Sequence, residues 1–385
     1  MKIRITSFIR SGSRCARMYG LPKLHKVPKN FPNPPFRPVV SSIGTYNYQL
    51  AKFLSDILTP LIPSNHCTSD SFTFVEELKQ VSCHNKFMIS FDVESLFTNI
   101  PLNEVIELAI DLIFEKTPDI DITKPKLRKL FVFATKQTNF TFDGIMYDQI
   151  DGVAMGSPLA PALANLFLGF HENNWLNDPK AGNVIFYKRY VDDIFCLFPN
   201  DNCFIEFFDF INSSHDNIRF TYEKQLDNTL PFLDVLIKSY ETSFDTTTFY
   251  KKTYTGLLTH FSSFTSMKYK VGLVRTLVDR AFKINSSYLN FHKNLEKIKH
   301  NLQKNGFPLH FIERIIQKFM SSKFSENEER ANQNSSTRFY KLPFLGESSS
   351  NLQSRFRKLV SRCCTEDTDL KLIFVPSKIL AISLI

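Results

Sequence analysis

The sequence predicts a mixed α/β chain of the α+β kind, with an antiparallel sheet at its centre and a helical part after it. Apolar runs of strand length, rich in aromatic and β-branched residues, lie at 86–93, 218–224 and 231–238. A further segment, 184–198 (VIFYKRYVDDIFCLF), is two such runs meeting at Asp192–Asp193. That pattern reads as strand–turn–strand, and so as an antiparallel pair. From about 268 to 320 the periodicity becomes helical and stays so.

The elements follow in order. Residues 20–38 (GLPKLHKVPKNFPNPPFRP) carry six prolines, which exclude a helix and favour extended, looped backbone. Helices are predicted over 47–59 and 70–81, the second capped by Asp70 or Ser71. KFMISFDV (86–93) is a buried strand ending near Asp92, and Asn103 is a candidate cap for a helix over 104–115. Asp143–Gly144 is a hairpin dipeptide between two short strands in 138–150. After Ser157–Pro158 an Ala/Leu-rich stretch runs to about Phe170, apolar on most sides, and reads as a buried helix. Residues 203–212 suit a helix, whereas 321–338 (SSKFSENEERANQNSSTR) is too polar for a core and reads as a linker. No internal repeat is visible.

Length allows two or three packed units, and 43% hydrophobic with 22% charged residues is ordinary for a globular chain. Glycine is scarce at 12 in 385, so Gly152 and Gly156, four residues apart, stand out. The net charge of +9 is unevenly spread. Residues 1–55 hold ten Lys or Arg and no carboxylate, and 268–304 hold nine against Asp279 and Glu296. A solvated helix surface explains either block alone; the two together suit a polyanion lying across one face.

Seven cysteines without a CxxC pair (Cys363 and Cys364 are adjacent) and nine histidines without ligand spacing predict a reduced intracellular protein with no zinc site. MKIRITSFIR at the start has no signal-peptide core. The terminal LIFVPSKILAISLI is too short, and too interrupted by Pro376 and Lys378, to span a bilayer, so no membrane association is expected.

Asp92 at a strand end and Asp192 in a hairpin are each ordinary alone. Together they are the carboxylate apparatus that phosphoryl transfer to a growing chain requires, because the chemistry asks the protein mainly to hold divalent ions. The ordered set is more specific: FDVESLFTNIP at 91–101, GVAMGSPLAP at 152–161, YVDD at 190–193 and LPFLDVL at 230–236. With these blocks the chain resembles the reverse transcriptase superfamily. It is most similar there to Penelope-like retroelement polymerases, relatives of telomerase catalytic subunits. MYGLPKLHK…RPVVSS at 18–42 and RTLVDRAF at 275–282 carry that narrower resemblance, which covers about residues 18–320.

The resemblance implies a right-hand polymerase with an antiparallel-sheet palm, fingers and a helical thumb. Its reaction would be RNA-templated addition of dNTPs to a DNA primer 3′-end with two Mg²⁺ (or Mn²⁺) ions. Asp92 and Asp192 would be the metal ligands and Asp193 a weaker supporting one. Phe97, five residues after Asp92, would lie beneath the sugar and collide with a 2′-hydroxyl, which favours dNTPs. Gly152, Gly156, Ser157 and Pro158 would shape a turn and helix start beneath the template and incoming base. Arg37 would clamp the triphosphate, helped by Lys23 and Lys26. Lys224 is the preferred general acid over Lys238, and Asp234 has no metal role. Lys251 and Lys252, with Lys268, Lys270, Arg275 and Arg280, would grip primer and template.

The corresponding division is 1–85 fingers and N-terminal part, 86–255 palm with a fingers segment at about 113–150, 256–320 helical thumb, and 321–385 linker and truncated remnant. Penelope-like elements commonly carry a GIY-YIG endonuclease after the polymerase, and 323–385 contains neither tripeptide. The sequence therefore reads as a member without the nuclease, a truncated element copy or an incomplete one. The alternative function is a catalytically silent or co-opted copy that only binds nucleic acid. A nuclear site follows from the resemblance alone.

Overall fold

The prolines of 20–38 leave room for extended chain only, and two strands bracket them: β1 (Ala16–Pro22) and β2 (Phe36–Ser41), antiparallel with Leu21 opposite Arg37. The computed structural model describes residues 13–23, 34–82, 86–136, 138–240, 243–324, 338–344, 346, 348–363 and 370–375. The chain divides into two compact units, Met1–Thr253 and Tyr254–Ile385.

In the first unit, helix α1 (Tyr48–Leu58) precedes α2 (Ser71–Lys79), whose first turn Asp70 caps by accepting from the amides of Phe72 and Thr73. Strand β3 (Phe87–Val93) leads through a single turn, α3 (Leu96–Asn99), into α4 (Leu102–Lys116). Asn103 does not cap α4. The cap position is Pro101, the Leu102 amide goes to Asp151 Oδ1 (3.1 Å), and Asn103 instead accepts from Lys136 (2.6 Å). Helix α5 (Lys124–Thr135) was hidden by its basic start and Pro125, although Leu127, Phe131 and Ala134 mark its buried face. Strands β4 (Asn139–Phe142) and β5 (Ile145–Asp148) form the predicted hairpin, with Asp143 and Gly144 at φ of 49° and 76°.

The buried helix α6 (Ala160–Asn177) runs about two turns past Phe170. Next come β6 (Phe186–Tyr190), β7 (Asp193–Phe198), α7 (Asp201–Ser213) and β8 (Phe220–Lys224). The stretch 231–238 is not one strand. Leu233 takes a φ of 55°, so the chain reverses there and gives β9 (Thr229–Phe232) and β10 (Val235–Ser239). Strand β11 (Phe244–Thr248), three of its five residues threonine, completes that sheet by pairing with β10.

The central sheet has the order β6-β7-β3-β8, antiparallel throughout. Its strands alternate strictly between two cores, the period-2 signature of a sheet covered on both faces. Ile89, Phe91 and Val93 of β3, with Ile194, Cys196 and Phe198 of β7, join Leu163, Phe167, Phe204 and Phe207 from the helices. On the opposite face Phe195 meets Phe74 of α2 (5.2 Å between ring centroids) and Phe232 of β9 (5.7 Å). A second sheet, β2-β1-β4-β5, includes one parallel pair, β1 with β4.

The second unit is led by three helices, α8 (Met267–Ile284), α9 (Tyr288–Lys304) and α10 (Leu309–Phe324). Val274, Val278, Leu295, Leu302, Ile312 and Ile316 pack between them at helical spacing. A parallel pair, β12 (Arg338–Pro343) and β13 (Leu370–Val375), and α11 (Ser348–Cys363) follow. The polar run 325–337 lies outside the described residues. No helix among the described residues is long and apolar enough to cross a membrane.

Candidate active site

The pairing of β3 with β7 sets Asp92 directly opposite Asp193, and the Val93 amide donates to the Asp192 carbonyl at 3.1 Å. Asp92 and Asp193, with Asp192 next to it in the turn, therefore lie at one end of the central sheet. Asp92 and Asp193 share the face opposite α6 and α7, since residues opposite each other in an antiparallel pair point the same way. Thr221 of β8 flanks Asp92 on its other side, and its hydroxyl donates to the Asp92 carbonyl at 3.4 Å.

The turn carrying Asp192 is held from within. Val191 has a φ of 56°, a left-handed conformation that a β-branched residue seldom adopts. Arg189, fully buried, donates from Nη1 to the Val191 carbonyl (3.0 Å) and to Asn165 Oδ1 (2.8 Å), and from Nε to Glu172 Oε1 (2.5 Å). Its Nη2 lies 3.2 Å from Cys67 Sγ, and its own backbone is paired to His66 and Thr68. Tyr187 donates its hydroxyl to the same Glu172 oxygen at 2.6 Å. Burial opposes the charge on Arg189, but the Glu172 carboxylate and its hydrogen bond outweigh burial and raise the guanidinium pKa above its ordinary value. Burial, then the same carboxylate, pushes the Tyr187 phenol well above its usual range.

Sequence reading missed Arg189 and Glu172. The signal was available: a charged residue inside an aromatic strand run, and another inside an Ala/Leu helix, must be paired once buried.

A second set of predicted residues forms a ledge of three backbone segments. After Ser95 (φ 50°) the chain turns through α3, and the Phe97 carbonyl accepts from the Val153 amide at 2.6 Å. The Phe97 side chain is partly buried against the helical core. Gly152 lies on Thr98 so closely that a Cβ would come within 2.6 Å of the Thr98 carbonyl. Gly156, at φ 114°, presses on the Val40 carbonyl in the same way and accepts from the Ser42 hydroxyl at 2.7 Å. The Val40 amide donates to Met155 at 2.8 Å, which stitches the end of β2 to this loop. Ser157 lies in the turn that leads into α6, its carbonyl taking the Ala160 amide, with Pro158 next.

Arg37 is exposed on β2, and the amide of Lys23 closes the same hairpin on Pro35 at 2.8 Å. Lys26 lies outside the described residues. Lys251 and Lys252 are exposed just after β11, Lys268 and Arg275 are exposed on α8, and Arg280 is half-buried. Lys270 departs from its expected role as a phosphate contact: it is buried, with its amine 5.0 Å over the Phe261 ring.

Lys224 also departs from its expected role. It pairs with Ile89, three register positions from Asp92, and alternation turns it to the helical face of the sheet. There it is bonded to Asp201 at 2.7 Å and lies 4.9 Å over the Phe204 ring, turned away from Asp92. The runner-up Lys238 sits on β10 with its amine over Tyr240. Asp234 takes the Ser71 hydroxyl at the start of α2, and its carbonyl accepts the Phe249 amide at 2.8 Å, which anchors the β9–β10 turn.

Among solved structures the chain is similar to telomerase from Candida albicans in complex with a TWJ fragment of telomeric RNA. That likeness has a TM-score of 0.55 at 11% identity, over 85% of this chain and 63% of that one. Apo telomerase from Candida tropicalis (TM-score 0.47, 14% identity, 80% of this chain and 58% of that one) also matches. So does the BmCPV RNA-dependent RNA polymerase in its elongation state (0.46, 12%, 75% and 26%). The chain thus spans less than two thirds of the length of each. The likeness to the first shows the fold, that of a right-hand polymerase with an antiparallel sheet. No curated protein matches. Residues 257–317, which include α8 and α9, match an animal helix-turn-helix domain. Residues 27–224, which carry Asp92, the glycine ledge and the Asp192–Asp193 turn, match the reverse transcriptase (RNA-dependent DNA polymerase) domain over more than half of the sequence, and the chain belongs to that family.

Proposed function

We propose that this chain is the RNA-directed DNA polymerase of a Penelope-like retroelement, adding dNTPs to the 3′-end of a DNA primer on an RNA template. The observation that carries the reading is the register of β3 on β7, which aligns Asp92 with Asp193 beside Asp192 in a chain of this family. Carboxylates from β3 and from the β6–β7 turn would supply hard oxygen donors, the kind that suit Mg²⁺ or Mn²⁺. Asp92 and Asp192 would hold two such ions, with Asp193 in support. Bound there, the metal would activate the primer oxygen and neutralise charge on the departing pyrophosphate.

The other residues orient and exclude. Phe97 beneath the sugar would select against a 2′-hydroxyl, and the Gly152–Pro158 ledge would support the templating base. Arg37, with Lys23, would hold the triphosphate. Lys251, Lys252, Lys268 and Arg275 offer cations to the primer–template backbone, where each phosphate contact adds affinity and salt dependence. Lys224 is not retained as the general acid. A retroelement polymerase of this kind would work in the nucleus.

The test is primer extension by the purified chain on an RNA template with Mg²⁺ and dNTPs, beside Asp92→Ala. Extension by the parent and none by the variant is the expected result. A folded parent that binds the hybrid yet extends nothing would refute the catalytic reading and leave a nucleic-acid-binding copy.

A further inference from the structure

Three side chains outside the carboxylate cluster converge from three elements. Glu104 lies in the first turn of α4, His171 on α6, and His215 in the turn after α7. His171 Nε2 is 2.9 Å from Glu104 Oε1, and His215 Nε2 is 3.3 Å from Glu104 Oε2. The three ligand atoms all lie within 4.8 Å of one another. Both imidazoles are mostly covered, their side chains 13% and 14% exposed, and Glu104 is the more open at 36%.

Packing fixes the rings. Phe167 stands edge-on to both, at 4.7 Å from His171 and 5.3 Å from His215, and Trp175 stacks on His171 at 5.5 Å. The two imidazoles are themselves 4.8 Å apart. Among the described residues the ion pairs of Glu104 are with these two histidines and with no Lys or Arg. The residues are too far apart in sequence for any spacing rule to reveal them, so a chain without a zinc pattern still folds into this donor set.

We propose that Glu104, His171 and His215 bind a single Zn²⁺ ion through two imidazole nitrogens and one carboxylate oxygen. Two histidines and one carboxylate are a zinc donor set that leaves a fourth position open. Imidazole nitrogen discriminates against Mg²⁺, which takes oxygen ligands, so this site and the aspartates of the central sheet select different ions. His215 Nδ1 accepts the Asn217 amide (3.1 Å), which leaves the ring proton on Nε2, facing Glu104. Metal binding at Nε2 moves that proton to Nδ1 and releases the Asn217 amide to solvent at an exposed turn. The ion would join α4, α6 and the α7–β8 connection. It would also fix the turn of α6 whose next residue, Glu172, grips Arg189.

The experiment is titration of the full chain with Co²⁺, a coloured substitute for Zn²⁺, in excess Mg²⁺ to occupy the aspartates. One equivalent should produce visible bands of a nitrogen-ligated ion that Zn²⁺ abolishes. His171→Gln and His215→Gln should each weaken binding by at least about 100-fold, beyond what loss of an outer partner costs. Asp92→Asn should leave it unchanged, which separates this site from the polymerase reading. The Asn217 amide resonance should shift on loading. If His171→Gln does not fold, His215→Gln, on an exposed turn, carries the test. Absence of a one-equivalent band at tens of micromolar, or a band lost with Asp92→Asn and kept with His215→Gln, would overturn the proposal.

Discussion

Replacing Arg189 by Met, alone and together with Glu172→Met, separates the two tasks of the buried pair. Arg189 and Glu172 are 0% and 1% exposed, and Glu172 Oε2 has no hydrogen-bond partner. Arg189→Met keeps the volume but strands the carboxylate in an apolar site, a loss of about 3–5 kcal/mol. That is a fifth or more of the roughly 5–15 kcal/mol that holds a typical domain folded. Removing both charges avoids the stranded ion, and apolar replacements of whole buried pairs are often neutral or better. Against this, Asn165 and Tyr187 each lose a bond worth about 1 kcal/mol. The double variant should therefore return to within about 2 kcal/mol of the parent.

The turn does not recover in the same way. The bond from Arg189 to the Val191 carbonyl is worth about 1.5–3 kcal/mol, as hydrogen bonds to charged groups are. The left-handed Val191 it holds costs about 1–3 kcal/mol. The two are comparable, so without the arginine the strain of the present turn is no longer offset from within, and a displacement of one ångström at reacting groups costs about 100-fold. Trp175, the single tryptophan, sits in α6 one turn from Glu172 and reports urea unfolding of this unit. Primer extension reports the rate. The expected result is stability largely restored in the double variant with the rate still down about 100-fold. A double variant with parental rate and stability would refute the positioning role. An Arg189→Met protein within 1 kcal/mol of the parent would refute the buried-charge argument itself.

Other perturbations address single residues. Asp192→Ala should abolish dNTP incorporation while hybrid affinity, measured by anisotropy, stays nearly intact; equal loss of both would count against the assignment. Phe97→Ala should admit rNTPs, read as the ratio of rNTP to dNTP extension, and an unchanged ratio sinks the steric argument. Gly156→Ala drives a Cβ into the Val40 carbonyl at a φ of 114°, and should lower stability by about 2–3 kcal/mol in urea titration. A loss below 0.5 kcal/mol would mean that the loop moves freely off β2.

Much of this site was legible because the chemistry constrains residue type and strand alternation constrains place. Asp92 and Asp192 sit where apolar runs end, so both could be found without coordinates. Gly152 and Gly156 were visible through scarcity, and the structure supplies the reason: each lies on a backbone carbonyl where no side chain fits. Arg189, Glu172 and the Glu104–His171–His215 group were not found, because their meaning depends on contacts between residues 17 to 111 positions apart. The strand β11 was missed since threonine is common in loops and strands alike, and only pairing with β10 decides it.

LPFLDVL shows how a motif can belong to the ordered set without chemistry of its own. Its Leu230, Phe232 and Val235 are buried, and Asp234 ties the turn between its two strands to Ser71. The segment closes the face of the sheet opposite α6 and α7, where Phe232 meets Phe74 of α2 and Phe195. That is the face to which Asp92 and Asp193 belong. The segment therefore supports the strands that carry the carboxylates, and substitution of Asp234 should act through stability. Lys224 fails as an acid by the same logic of faces. Phe220, Tyr222 and Lys224 alternate with Thr221 and Glu223, and the buried Phe220 assigns the even set to the helical side. Asp92 lies on the other side, opposite Thr221. The alternation was readable from the sequence, but the register that pairs it with β3 was not, and register is what decides which lysine can reach an active site.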